Sequence, residues 1–107
     1  MTNSSRGRAF EYRVRDDMQA RGYVTVRSPG SHTPVDVYCK KPGEVVFVQC
    51  KTSGRMDPAE WNAFLDLCEY AGAVPVLAER EGRKLVYRRI TGRKDGGGKQ
   101  PYEDWEP

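Results

Sequence analysis

The chain is predicted to fold as one α/β domain, a mixed β-sheet with helices packed against it. Three observations lead there. An apolar stripe of helical spacing opens the sequence. Short segments rich in β-branched and aromatic residues follow. A second, well-capped helical segment then interrupts the strands. The 107 residues, 37% of them hydrophobic, are enough for one modest core and too few for two.

The first helix is predicted over residues 5–21, where Phe10, Val14 and Met18 recur every fourth position and form one buried stripe. Gly22 tolerates positive φ and ends it. The segment YVTVR at 23–27 reads as a strand, and SPGSHTP at 28–34 as a loop. A second strand is predicted over 35–39 and a third over 44–51, joined by a Lys40-Lys41-Pro42-Gly43 turn. Residues 45–48 are apolar without alternation, which suits a central strand covered on both faces.

The second helix begins after Asp57, an N-cap residue, with Pro58 at the first helical position and Glu60 three residues after the cap. Trp61, Phe64, Leu65 and Cys68 follow i, i+3, i+4, i+7 spacing and form its buried face. Gly72 ends it. Strands at 74–78 and 84–90, turning around Glu81-Gly82, complete the order α-β-β-β-α-β-β. Residues 1–92 are therefore expected as the folded domain. Residues 93–107, with three consecutive glycines, are expected as a flexible C-terminal tail without a packed element.

Net charge is +3, and it rises to +6 without the last eight residues, which hold three acids and no Lys or Arg. A small basic body favours a polyanionic partner, nucleic acid before membrane. The longest purely apolar run is four residues, so no membrane span is expected. The polar, basic start does not resemble a signal peptide. Three cysteines without a CxxC pair read as reduced thiols, which points to a cytoplasmic protein rather than a disulfide or zinc framework.

Polar residues then stand where a core has no need of them. Asp36 lies between Val35 and Val37, and Gln49 and Lys51 end the most apolar strand. Two residues apart, Gln49 and Lys51 point to one face, and the 40–43 turn brings Asp36 beside them. Glu11 on the first helix can reach the same place. Oxygen donors of this kind suit a hard divalent cation, and a nearby ammonium suits the charge that develops in phosphodiester hydrolysis. Asp36, Gln49, Glu11 and the backbone carbonyl of Cys50 are the candidate metal ligands, with Lys51 as the catalytic cation. Each has a structural reading as well. Asp36 can cap a turn, Gln49 can be a bonded core amide, Lys51 can be a solvated strand end, and Glu11 can pair with Arg15 at i+4.

Pro34-Val35-Asp36 followed by Gln49-Cys50-Lys51 resembles the PD-(D/E)xK nuclease signature. The succession of helix acid, Gly22-to-Ser31 segment, motif strands, Trp61 helix and AVPVLA segment at 73–78 resembles the archaeal-type Holliday junction resolvases and their phage-borne relatives over residues 6–90. The resemblance implies a restriction-endonuclease-like fold with residues 1–92 as the nuclease domain. It implies a homodimer that cuts two strands of a four-way DNA junction, with Mg²⁺ as cofactor and Mn²⁺ as a substitute, leaving 5′-phosphate and 3′-hydroxyl ends. It assigns catalysis to Glu11, Asp36, Gln49 and Lys51, with Ser31 and Arg27 in support. Gln49 departs from the usual acid and removes one negative charge. Tyr12 stands where these enzymes usually carry Arg, leaving phosphate contact to Arg8, Arg13 or Arg15. Arg6, Arg8, Arg13, Arg27, Ser31, Lys40 and Arg55 are the candidate DNA contacts, since they flank the site in the linear sequence. A restriction or repair nuclease of the same fold, and a non-catalytic DNA-binding module, are the alternatives.

Overall fold

The computed structural model describes residues 3–28, 33–52, 55–95 and 99–107, with side chains described from residue 7 onward. The elements are α1 (Asn3–Ala20), β1 (Val24–Arg27), β2 (Val37–Lys41), β3 (Glu44–Cys50), α2 (Pro58–Ala71), β4 (Val74–Glu81), β5 (Lys84–Ile90) and β6 (Tyr102–Asp104). The strands lie in the sheet in chain order. Neighbours are antiparallel except β3 and β4, which run parallel because α2 carries the chain across between them.

The helices take opposite faces of the sheet. Phe10, Val14 and Met18 of α1 pack on Val37, Cys39, Val46, Val48, Val76 and Ala78. Trp61, Phe64, Leu65 and Cys68 of α2 pack with Val35, Leu77 and Ile90, and Phe47 borders that cluster. Alternate residues of β3 thus enter different layers, which explains its unbroken apolar run. Each fully buried Val or Leu contributes on the order of 1.5–3 kcal/mol of transfer free energy.

The predicted caps of α2 are present. Asp57 accepts a hydrogen bond from the Glu60 N–H at 2.8 Å, Pro58 occupies the first turn, and Gly72 closes the helix at φ 71°. The Glu60 carboxylate, however, does not complete a capping box; it turns to Lys51.

The C-terminal segment corrects the expectation of a tail without packed structure. Residues 102–104 pair antiparallel with β5. Tyr102 lies against Trp61 with ring centroids 6.2 Å apart, and Trp105 meets Tyr87 edge-on at 6.3 Å. The Trp61 indole N–H donates to Gly92 O at 2.9 Å. Aromatic side chains flanking a short polar strand give it burial that its own composition does not suggest. Among the described residues, no helix is long and apolar enough to cross a membrane.

Candidate active site at the end of the central strands

The β2–β3 hairpin has its turn at Pro42-Gly43, and the candidate site lies at the other end, where the two strands meet Asp36 and Lys51. Asp36 immediately precedes β2 and continues its ladder. Its N–H donates to Val48 O at 2.9 Å, and its carbonyl accepts from the Ser28 N–H at 2.9 Å. Val37 is also paired with Val48, so Asp36 and Val37 both stand against that one residue and the ladder is bulged there. The backbone is thereby held on both sides, which fixes where the carboxylate stands.

The Asp36 carboxylate accepts a hydrogen bond from the Cys50 N–H at 2.8 Å through Oδ2. Burial pushes its pKa up to about 6, and the negative charges of Glu11 and Glu60 add to the rise. The Cys50 N–H and the Lys51 ammonium oppose it without cancelling it. Burial therefore outweighs the nearby ammonium and leaves the carboxylate only partly compensated. Gln49 is only 7% exposed, yet its side-chain Oε1 has no hydrogen-bond partner among the described residues. Leaving such an acceptor unsatisfied costs about 1–3 kcal/mol.

Two ion pairs flank this centre. From the α1 side, Glu11 Oε1 accepts from Arg27 Nη1 at 3.0 Å, and the Arg27 guanidinium lies 4.7 Å from the Tyr12 ring centroid. From the α2 side, Lys51 Nζ donates to Glu60 Oε1 at 3.0 Å. Glu60 Oε2 lies 2.9 Å from the same nitrogen but is not aligned for a hydrogen bond, so that contact is one of charge alone. Arg15 pairs with Asp16, not with Glu11.

Glu11 and Lys51 thus both lie within electrostatic reach of Asp36, and Gln49 lies between Val48, which accepts from the Asp36 N–H, and Cys50, which donates to the Asp36 carboxylate. Arg8 is exposed on α1 and Arg55 is exposed in the segment that follows Lys51. The Arg6 side chain and Ser31 lie outside the described residues. Lys40 does not flank the site. It is four residues from Asp36 along an extended chain, roughly 13 Å at 3.3 Å per residue, and belongs to the hairpin end. Linear proximity misplaces it because a strand carries its ends apart. Arg13 turns to Arg83 O at 2.7 Å, a contact with the β4–β5 turn.

Glu60 is the residue the sequence reading missed at this site. Its spacing from Asp57 suits a capping box, and that role concealed the other. One signal does point to it. In a β-α-β unit the first turn of the crossover helix stands beyond the carboxyl ends of the parallel strands, where ligands bind.

Among the described residues, no three His, Cys, Asp or Glu side chains form a ready-made metal cage. The donors at the site nonetheless suit a hard cation. Asp36 supplies carboxylate oxygen, and the orphaned Gln49 Oε1 is a neutral oxygen in want of a positive partner. The free thiols are not part of this set: burial pushes Cys39 and Cys68 up to about 12.

Comparison with known proteins bears on the family and the fold. Residues 2–94 match the family model described as archaeal Holliday junction resolvase (Hjc). The crossover junction endodeoxyribonuclease Hjc of Methanocaldococcus jannaschii is 26% identical over 86 residues, covering 77% of this chain and 64% of that protein. The chain thus spans just under two thirds of that relative's length. The crystal structure of Archaeoglobus fulgidus Hjc, a Holliday junction resolvase, superposes with a TM-score of 0.68 at 15% identity, over 82% of this chain and 80% of that one. That likeness is one of fold.

Proposed function

We propose, from the premise that this chain belongs to the archaeal Holliday junction resolvase family, that it is a metal-dependent endonuclease resolving four-way DNA junctions by paired phosphodiester hydrolysis. The observation that carries the reading is the end of β3. There a half-buried carboxylate, a buried amide oxygen without a partner among the described residues and a lysine stand together on the backbone of two adjacent strands.

Asp36, the Gln49 Oε1 and the Cys50 carbonyl would hold Mg²⁺, or Mn²⁺ in its place, with Glu11 joining from α1. Such an ion, when bound, supplies Lewis acidity and lowers the pKa of water. The protein's own groups do the rest. The Cys50 N–H holds Asp36 Oδ2 in one orientation, so the carboxylate is set before substrate arrives. The Lys51 ammonium donates toward the attacking water or a non-bridging phosphate oxygen and offsets charge as it develops. Arg27, held between Glu11 and Tyr12, presents a guanidinium at the rim for a backbone phosphate. Arg8 and Arg55 extend the basic rim. Contacts of this kind read the backbone and shape of DNA rather than its bases. A two-fold homodimer sets two such sites on one junction, and an isologous interface is the default geometry for it. A DNA-processing role fits a location in the cytoplasm.

The test is a labelled synthetic four-way junction and a linear duplex of the same sequence, each incubated with Mg²⁺ and with EDTA. Symmetric nicks in opposed strands of the junction, dependent on Mg²⁺ and absent from the duplex, support the reading. Equal cutting of the duplex points instead to a restriction or repair nuclease of this fold. Binding without any metal-dependent nick points to a DNA-binding module.

A further inference from the structure

A hard divalent cation such as Mg²⁺ is usually bound through one or two carboxylates, and of the central donors only Asp36 is a carboxylate not already paired with an arginine. Asp36 is a carboxylate, Gln49 is neutral, and Glu11 is already engaged by the Arg27 guanidinium. Glu60 carries the missing charge. It stands at the third position of α2, where its own backbone N–H is pinned to Asp57. Gln49 and Lys51 project toward the α2 side of the sheet, the face on which Phe47 meets the Trp61 cluster. Glu60 therefore faces the same side as the amide it would complement. It also lies within Coulombic reach of Asp36.

Two observations distinguish Glu60 from an ordinary ion-pair partner. Its Oε2 is buried and makes no hydrogen bond among the described residues. A second orphaned acceptor, Gln49 Oε1, belongs to a side chain that is 93% buried on the same sheet face. The Glu60 oxygen faces only the Lys51 ammonium and the Gln49 oxygen has no donor among the described residues, so both can turn to a bound cation. Lysine is a rotatable point charge and releases a partner more readily than the forked, ring-stacked Arg27 releases Glu11.

We propose that Glu60 is a metal-binding residue, supplying from α2 the carboxylate that position 49 of β3 lacks, and freeing Lys51 for the substrate when the ion binds. This rests on the metal-dependent reading above. Its experiment is Mn²⁺ titration of the full chain without DNA, followed by electron paramagnetic resonance. Wild type is compared with Asp36→Asn, Glu60→Gln and the transposed double variant Gln49→Glu/Glu60→Gln. Thermal melts of each variant check the fold, and Glu60→Gln keeps the backbone bond to Asp57.

Glu60→Gln is expected to weaken Mn²⁺ binding about tenfold or more. The double variant, which moves the charge back to the strand, is expected to recover to within about threefold of wild type, and junction cleavage should follow the same order. Unchanged Mn²⁺ affinity in Glu60→Gln overturns the proposal. So does a weakened Glu60→Gln that the double variant fails to restore, since Glu60 then acts only through Lys51. If Asp36→Asn also binds Mn²⁺ as wild type does, the metal-site reading itself falls. If only Asp36→Asn loses binding, the Glu60 assignment alone is wrong.

Discussion

The two ends of the β2–β3 hairpin both carry charged residues and differ in how they treat that charge. At the turn, Gly43 supplies the positive φ of 78°, and Lys41 pairs with Glu44 at 3.6 Å across a half-exposed surface. At the other end, burial raises the pKa of Asp36 to about 6, and Gln49 Oε1 has no donor among the described residues. Water or a partner compensates the first end. The second end is compensated only in part, by the Cys50 N–H and the Lys51 ammonium. Groups that cost stability in the free protein and gather at strand ends mark a site.

Substitutions at the two ends should therefore separate activity from stability. The largest effect is expected at Asp36 and Lys51. Asp36→Asn and Lys51→Ala should each lower junction cleavage at least about a hundredfold, measured under single-turnover conditions, while the cooperative melt is retained. A fold lost in both variants would break the comparison, because the site would then be holding the hairpin together.

Next is a pH effect in metal-free buffer. The folded pKa of Asp36 lies at about 6, above its ordinary 3.8, so between these values the folded state binds more protons than the unfolded one. Stability should fall as pH rises through that window and lose about 2–3 kcal/mol from this group. Denaturant titrations from pH 4 to 7 should show a steeper fall for wild type than for Asp36→Asn. Identical slopes would mean that the carboxyl is as well solvated as a surface aspartate.

A smaller effect is expected at Gln49. Gln49→Leu removes an acceptor that has no donor and should leave stability unchanged or raise it by about 1 kcal/mol, read as the denaturation midpoint. A loss of more than that would reveal a hydrogen bond to the amide. The smallest effect belongs to the turn: Glu44→Gln should change stability by no more than about 0.5 kcal/mol and leave cleavage alone.

Much of this was legible in the sequence because local signals agreed with the global fold. Phe10, Val14 and Met18 form the α1 stripe, and all are buried. Asp57, Pro58 and Gly72 mark the ends of α2. The Pro42-Gly43 turn sets the hairpin register that brings Asp36 to the Gln49 end of β3, bonded to Val48 and Cys50. What was hidden depended on the third dimension. Lys40 is near Asp36 in number, but the strand carries it away. Glu60 satisfies a capping pattern, and only the crossover geometry shows that its carboxylate faces Lys51. The glycine-rich stretch conceals β6, whose place comes from Tyr102 on Trp61 and Trp105 on Tyr87. Polar composition argues against a core, and it does not forbid an edge strand anchored by neighbouring aromatics.

Mapping the nicks that wild type and Asp36→Asn leave in a four-way junction, beside a measure of junction binding by each, tests the assignment of chemistry to this strand end most directly. Paired Mg²⁺-dependent nicks by wild type and none by the variant, with binding preserved, are predicted. Cutting by Asp36→Asn at the wild-type rate would contradict it and move the active site elsewhere in the fold.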